Sequence, residues 1–237
     1  MYQYDKNGWR MPTAPSIDAP ANDETGFTSL TDLAYRRIEE AIVTLNLAPG
    51  SVVSEILLSK RIGIGRTPIR EALQRLARAG LVVILPRCGI LVSEVNIRSQ
   101  LQLIELRREV ERLVAGAAAD RASPVERLRF QAIADEMEQA ANSDDDRAFL
   151  RLDRELNDLC VVAARNEFAS KSMQLMQPLS RRFWFIHYQQ VADLPRCARL
   201  HAGVARAIGD GDRASARAAN DHLIDYIESF TRATLDG

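Results

Sequence analysis

The stretch GRTPIREALQRLARAG, residues 65–80, decides how this chain is read. At the helical turn of about 100° per residue, Ile69, Ala72, Leu73 and Leu76 gather on one face. Thr67, Arg70, Glu71, Gln74 and Arg78 gather on the other, with Arg66 at the N-terminal edge. The spacing predicts a short amphipathic helix with Thr67 as N-cap, Pro68 at the first helical position and Gly80 as its stop. An isolated helix of this kind is most often an ordinary solvated face. Its neighbours have to decide whether it reads something or only packs.

Upstream, Leu33, Ile38, Ile42 and Val43 fall on one side of a helical pattern that begins at Leu30 and that the APG of residues 48–50 stops. Ser54 can cap a second short helix carrying Ile56, Leu57, Leu58 and Ile62. The GIG of residues 63–65 is a tight turn. Downstream, LVVIL (81–85) and ILVSEV (90–95) are β-branched and apolar, and PRCG between them reads as a hairpin tip. The order helix, helix, three-residue turn, helix, hairpin is a winged helix-turn-helix in outline. In that setting the N-terminal end of the third helix enters a major groove. Arg66, Thr67, Arg70 and Gln74 then face bases or phosphates. Arg87 and Gly89 at the hairpin tip can reach a neighbouring backbone or minor groove.

The run LLSKRIGIGRTPIREALQRLARAGLV…PRCGILV closely resembles the DNA-binding domain of GntR-type bacterial transcription regulators. The resemblance covers about 40 residues. It assigns DNA contacts to Arg66, Thr67 and Arg70, and to Arg87 and Gly89. Gly65 departs from the family, which usually has Ser there; the change removes a phosphate contact or a helix cap. Glu55 stands at a frequent family acid and is read as a local cap or ion-pair partner.

Bulk numbers agree with such a head on a separate body. The chain has 237 residues, 46% of them hydrophobic and 27% charged, enough for one or two domains. Residues 28–95 carry 9 Lys/Arg against 6 Asp/Glu, whereas residues 96–237 carry 20 against 22. A mildly basic head on an acidic body fits an anionic partner for the head alone. Three scattered cysteines, Cys88, Cys160 and Cys197, give neither a disulfide framework nor a zinc knuckle. The polar N-terminus lacks the apolar stretch of a signal peptide, and no run of apolar residues is long enough to span a membrane. The expectation is a cytoplasmic protein with no membrane partner. Residues 1–27, with Pro12, Pro15 and Pro20, read as a mobile tail.

After Val95 only helical patterns remain, near 97–121, 124–141, 145–164, 167–190, 196–209 and 212–234. Pro178 should kink or split the fourth of these. The expected fold class is therefore mainly α. A winged head over 28–95 precedes an all-α bundle of about six helices over 96–237. This body resembles the FCD-type ligand-binding domain of the FadR subgroup. ELRREVERLVAGAAA (105–119) looks like its first helix, with Arg107 and Glu111 at the family's Arg and Glu.

Metal-binding members of that group have an Asp and a His four apart on one helix, a His before a Gly-Asp turn, and a His in the last helix. The resemblance places Asp153, His201 and His222 at three of these positions, with Asn157 where the first His would be. Asp153 and Asn157 share a helix face at i, i+4. Imidazoles and a carboxylate suit Zn, Ni, Mn or Fe, while an amide oxygen is a weak ligand. Arg107 can pair with an anionic effector or, equally, with Glu111. His187, in the aromatic RRFWFIHYQQ, either lines a pocket or packs at an interface or in the core. Cys88 at the wing tip is the one thiol placed to act as a redox switch.

These readings converge on a homodimeric regulator that binds an inverted-repeat operator in double-stranded DNA. It would respond to a small organic-acid effector at a divalent metal, most readily as a repressor released by ligand. The rivals are a metalloenzyme on the helical domain, for which the sequence offers no dedicated general base, and a regulator whose only ligand is the metal.

Overall fold

The computed structural model describes residues 29–143, 145–191 and 193–234. The expected tail over residues 1–27 lies outside the described residues. The chain divides into two compact units. One runs up to Asn96 and includes Gln177–Ile186; the other comprises Ile97–Met176 and the chain from His187 onward.

In the first unit, α1 (Leu30–Val43) starts where the Ser29 hydroxyl accepts the N–H of Asp32. It ends at Thr44, ahead of the expected stop at residues 48–50, because Leu45 turns into the left-handed region at φ 61°. A two-residue strand β1 (Val52–Val53) follows, an element the sequence pattern does not announce. Next comes α2 (Glu55–Ile62), capped by Ser54 and closed by Gly63. The helix of the opening stretch, α3 (Arg66–Arg78), begins two residues earlier than its caps predict. Its N-cap is Gly65, which supplies no side-chain acceptor, and Thr67 lies inside the first turn. Strands β2 (Val82–Leu85) and β3 (Gly89–Val92) form the hairpin. The sheet is antiparallel in the order β1-β3-β2, with Val53 opposite Ile90 and Val82 opposite Val92.

One core joins these elements: Ile38, Ile42, Leu58, Ile62, Ile69, Leu73, Leu76, Leu81 and Ile90. The apolar face of α3 is therefore consumed by packing, and its polar face is left outside. Leu179, in the segment Gln177–Ile186 grouped with this unit, packs on the same core. Nearby, Arg182 donates to the carbonyls of Ser93 and Glu94 at 2.8 and 3.4 Å. The expected boundary at residue 95, with everything after it in the second domain, therefore misses this short segment. The helix holding it is longer than one unit's core.

The second unit is all helix: α4 (Ile97–Arg121), α5 (Pro124–Ser143), α6 (Asp146–Ala163), the two ends of α7 (Glu167–Val191), α8 (Leu194–Asp210) and α9 (Arg213–Ala233). α7 runs unbroken through Pro178, so of the kink or split expected there the split does not occur. Breaks between helices are set by caps. Ser123 and Glu126 form a reciprocal capping box at the start of α5, each side chain taking the other's backbone N–H. Asp145, Asp193 and Asp212 cap α6, α8 and α9, and Gly211 ends α8 in the left-handed conformation. α5 packs on α8, and α4 on α9. The core between them holds Phe130, Ile133, Met137, Leu156, Met173, Ile208 and Ile224.

Candidate functional site

The head presents a compact polar front. Arg66, Thr67, Arg70 and Gln74 are exposed along α3. Arg70 sets its guanidinium on the carboxylate of Glu55, Nε to Oε1 at 2.9 Å and Nη2 to Oε2 at 2.8 Å. Arg66 reaches the same carboxylate at 3.5 Å. The Arg70 hydrogen bonds hold the Glu55 carboxyl below its ordinary value. Glu55 is therefore an ion-pair partner, fixed because Ser54 caps the helix it opens. On the side of α3 facing α1, Arg75 pairs with Asp32 at 2.7 Å and lies over the Tyr35 ring. Glu71 accepts from Thr31 at 2.7 Å. These ties clamp α3 to α1 and leave the Arg66–Arg70 edge outward. At the hairpin tip Arg87 is exposed with φ at 63°. Gly89 sits lower, at the first residue of β3, where a Cβ would meet the Val53 carbonyl oxygen at 2.8 Å. That position is governed by the sheet.

In the second unit two of the four expected metal donors meet. His201 Nε2 stands 3.2 Å from Asp153 Oδ1; His201 is buried and Asp153 is half-buried. His201 Nδ1 lies 2.9 Å from the carbonyl oxygen of Cys197, one helical turn earlier, and 3.7 Å from its thiol. A carbonyl can only accept, so Nδ1 carries a proton. Nε2 faces a carboxylate and carries the second. Burial works against that charge, but the Cys197 and Asp153 contacts outweigh it and hold His201 well above the ordinary histidine value. The Cys197 thiol is itself pushed up by burial, so Asp153 is the charged partner. The Phe149 ring closes the pair edge-on, its centroid 5.3 Å from that of His201.

The other two expected donors do not join as ligands. Asn157 turns its amide nitrogen onto Asp153, 3.0 Å from Oδ1 and 2.8 Å from the backbone oxygen, so it donates where a ligand would accept. His222 is exposed on α9. Among the described residues no three His, Cys, Asp or Glu side chains converge as a metal would require. The four-residue set named from the sequence therefore does not fit a divalent ion. Its carboxylate and imidazole satisfy each other through a proton, its amide is a donor, and its last histidine faces elsewhere.

Arg107 follows the second of its two readings. It is buried and donates to Glu111 at 2.6 and 3.3 Å, so the guanidinium is engaged within its own helix. His187 is half-buried on α7, and burial pushes its pKa down. His222 instead lines an open cleft of about 610 Å³ along α8 and α9, with Arg196, Leu200, Asp225, Tyr226 and Phe230. Arg196 lies over the Tyr226 ring at 5.3 Å. The Tyr226 hydroxyl accepts from the Asp193 backbone N–H and donates to its carbonyl. Burial pushes that phenol up to about 12. Sequence reasoning missed Arg196, Cys197 and Tyr226. The i, i+4 spacing of Cys197 and His201 was the available signal for one of them.

The comparisons with known proteins bear on both units. Residues 30–92 match the gntR family of bacterial regulatory proteins, and residues 102–226 match the FCD domain. The chain belongs to the GntR family, with an FCD domain behind its DNA-binding head. It is similar to the transcriptional repressor RspR of Escherichia coli K12, 29% identical over 82% of this chain and 86% of that protein. An uncharacterised HTH-type regulator from an unstable DNA locus of Streptomyces ambofaciens is 42% identical over 30% of each chain, so the chain spans less than a third of that relative's length. The E. coli McbR/YncC structure superposes with a TM-score of 0.72 at 17% identity, covering 88% of this chain and all of that one, a likeness of fold alone. RspR and the Streptomyces protein are both named as transcription regulators, which together with the two family matches favours the regulator reading over the metalloenzyme. Among the described residues no helix is long and apolar enough to cross a membrane.

Proposed function

We propose that this GntR/FCD regulator works as a dimeric repressor of an inverted-repeat operator and is released by a small carboxylate effector. The observation that carries the reading is the Arg66–Arg70 edge of α3, exposed and steered by one carboxylate at Glu55. Arg presents a fork that matches the acceptor pair on a guanine edge or a phosphate. With Ile69, Leu73 and Leu76 fixed in the core, the front of α3 is a rigid blade, and its N-terminal turn leads into the groove. Arg87 at the hairpin tip supplies a phosphate or minor-groove contact beside it. Repression is taken from the name of the similar RspR. The operator symmetry follows from pairing two such heads in one dimer. No metal enters the proposal, because Asp153 and His201 are already satisfied by each other.

The test is fluorescence anisotropy on the DNA upstream of the protein's own gene, with native mass spectrometry for the dimer. Arg66→Ala with Arg70→Ala should weaken specific binding by at least about a hundredfold, at roughly tenfold or more for each lost bidentate contact. Both residues are exposed, so the thermal midpoint should stay put. Unchanged operator affinity in the double variant would overturn the assignment of α3 as the reading element.

A further inference from the structure

The cleft along α8 and α9 lies in the second unit, and its lining is chemically divided. Leu200 and Phe230 give it an apolar floor, and Arg196, His222, Asp225 and Tyr226 stand around it. Its acids are already committed. Asp193 accepts the backbone N–H of Arg196 at 2.9 Å as the cap of α8, and Asp225 pairs with Arg108 at 2.7 Å. Its basic groups are not. Among the described residues, the Arg196 guanidinium has a ring beneath it and no carboxylate within ion-pair distance, and the exposed His222 ring has no ion-pair partner. Tyr226 holds Arg196 in place: its ring supports the guanidinium while its hydroxyl is tied to the Asp193 backbone. A guanidinium stacked on an aromatic face keeps its edge N–H groups for another partner.

We propose that this cleft binds a small carboxylate with a hydrocarbon body. The carboxylate sits between Arg196 and His222, and the hydrocarbon lies on Leu200 and Phe230. A volume of about 610 Å³ accommodates a six- to ten-carbon acid. A neutral amide of the same shape keeps the apolar contact and loses the charged one, so the site discriminates by charge. The proposal deepens the effector half of the function given above. It gives the effector an entrance on the outside of α8 and α9, separate from the Asp153–His201 pair. Its test reads binding without DNA, so either part can fail while the other stands.

The experiment is isothermal titration calorimetry of the full chain with hexanoate and phenylacetate, against hexanamide and phenylacetamide. Both carboxylates should bind at or below the millimolar range, and the amides roughly tenfold or more weaker, as the loss of one charge-assisted contact dictates. Arg196→Gln should weaken the carboxylates about ten- to a hundredfold, and His222→Gln by a smaller factor. Circular dichroism confirms that each variant is folded; His222 is exposed and its replacement leaves the core untouched. Three results would each overturn the proposal: no heat with either acid up to about 10 mM, amides binding as well as acids, or acid binding unchanged in the Arg196→Gln, His222→Gln double variant.

Discussion

Glu55 grips the Arg70 guanidinium with both carboxylate oxygens, at 2.9 and 2.8 Å, and with one of them also draws in Arg66 at 3.5 Å. The pair is exposed, so it adds little to folding. Its effect falls on recognition. It aims two flexible side chains and taxes them with a negative charge beside the DNA phosphates. Glu55→Gln should therefore tighten binding to random DNA severalfold while lowering the specific-to-random ratio by about tenfold. Anisotropy titrations on operator and scrambled duplexes at several salt concentrations measure both. A ratio that rises would show that Glu55 only competes with DNA.

Gly65 opens α3 with φ −58° and ψ 157°, backbone that any residue adopts, yet it offers the first turn no acceptor. A Cβ there would meet only Pro68 Cδ, at 4.0 Å. Gly65→Ser should raise stability by a few tenths of a kcal/mol. It should also strengthen DNA binding through a hydroxyl at the leading edge of α3. Chemical denaturation and the same anisotropy assay check the two effects separately.

Asn157 turns its donor nitrogen toward Asp153. Asn157→His would add an acceptor nitrogen one turn from that carboxylate, beside a His201 whose Nδ1 is already oriented by the Cys197 carbonyl. The variant should gain a zinc-dependent rise in thermal midpoint of several degrees, while the unsubstituted chain moves by less than about a degree. A large zinc shift in the unsubstituted chain would return the metal to this site.

The capping box at α5 predicts a pH effect. The Ser123 backbone N–H, and then Arg165, hold the Glu126 carboxyl below 4.5, its ordinary value. A depressed carboxyl stabilises the fold above that value and loses the contribution as pH falls through its lower folded value. Glu126→Gln should cost about 0.5–1 kcal/mol near neutrality. The gap to the parent should close as the pH is taken below 4.5, as followed by urea unfolding.

How much of this was legible depends on the length of the pattern. Helix limits in the second unit could be read because Pro124, Pro195 and Gly211 punctuate long amphipathic runs. β1 could not, since two residues, Val52 and Val53, carry no period; their pairing with β3 exists only in three dimensions. The candidate metal set failed at His222 for a reason already present in the sequence. Leu223, Ile227 and Phe230 define the inward stripe of α9, and the residue beside Leu223 is turned about 100° away from it. At Asn157 the sequence could name the amide but not which end of it faces Asp153.

The first residue of β3 limits what this head can become. At φ 113° and with the Val53 carbonyl 2.8 Å from any added methyl, Gly89 excludes side chains on two separate grounds. Gly63, also left-handed at φ 73°, has open space around it. In a saturation library selected for operator binding, position 63 should admit asparagine, while position 89 should admit one letter of the alphabet. Diversifying the tip at Arg87 to retarget the protein to new operators is therefore open to a designer, provided the randomised window stops short of Gly89.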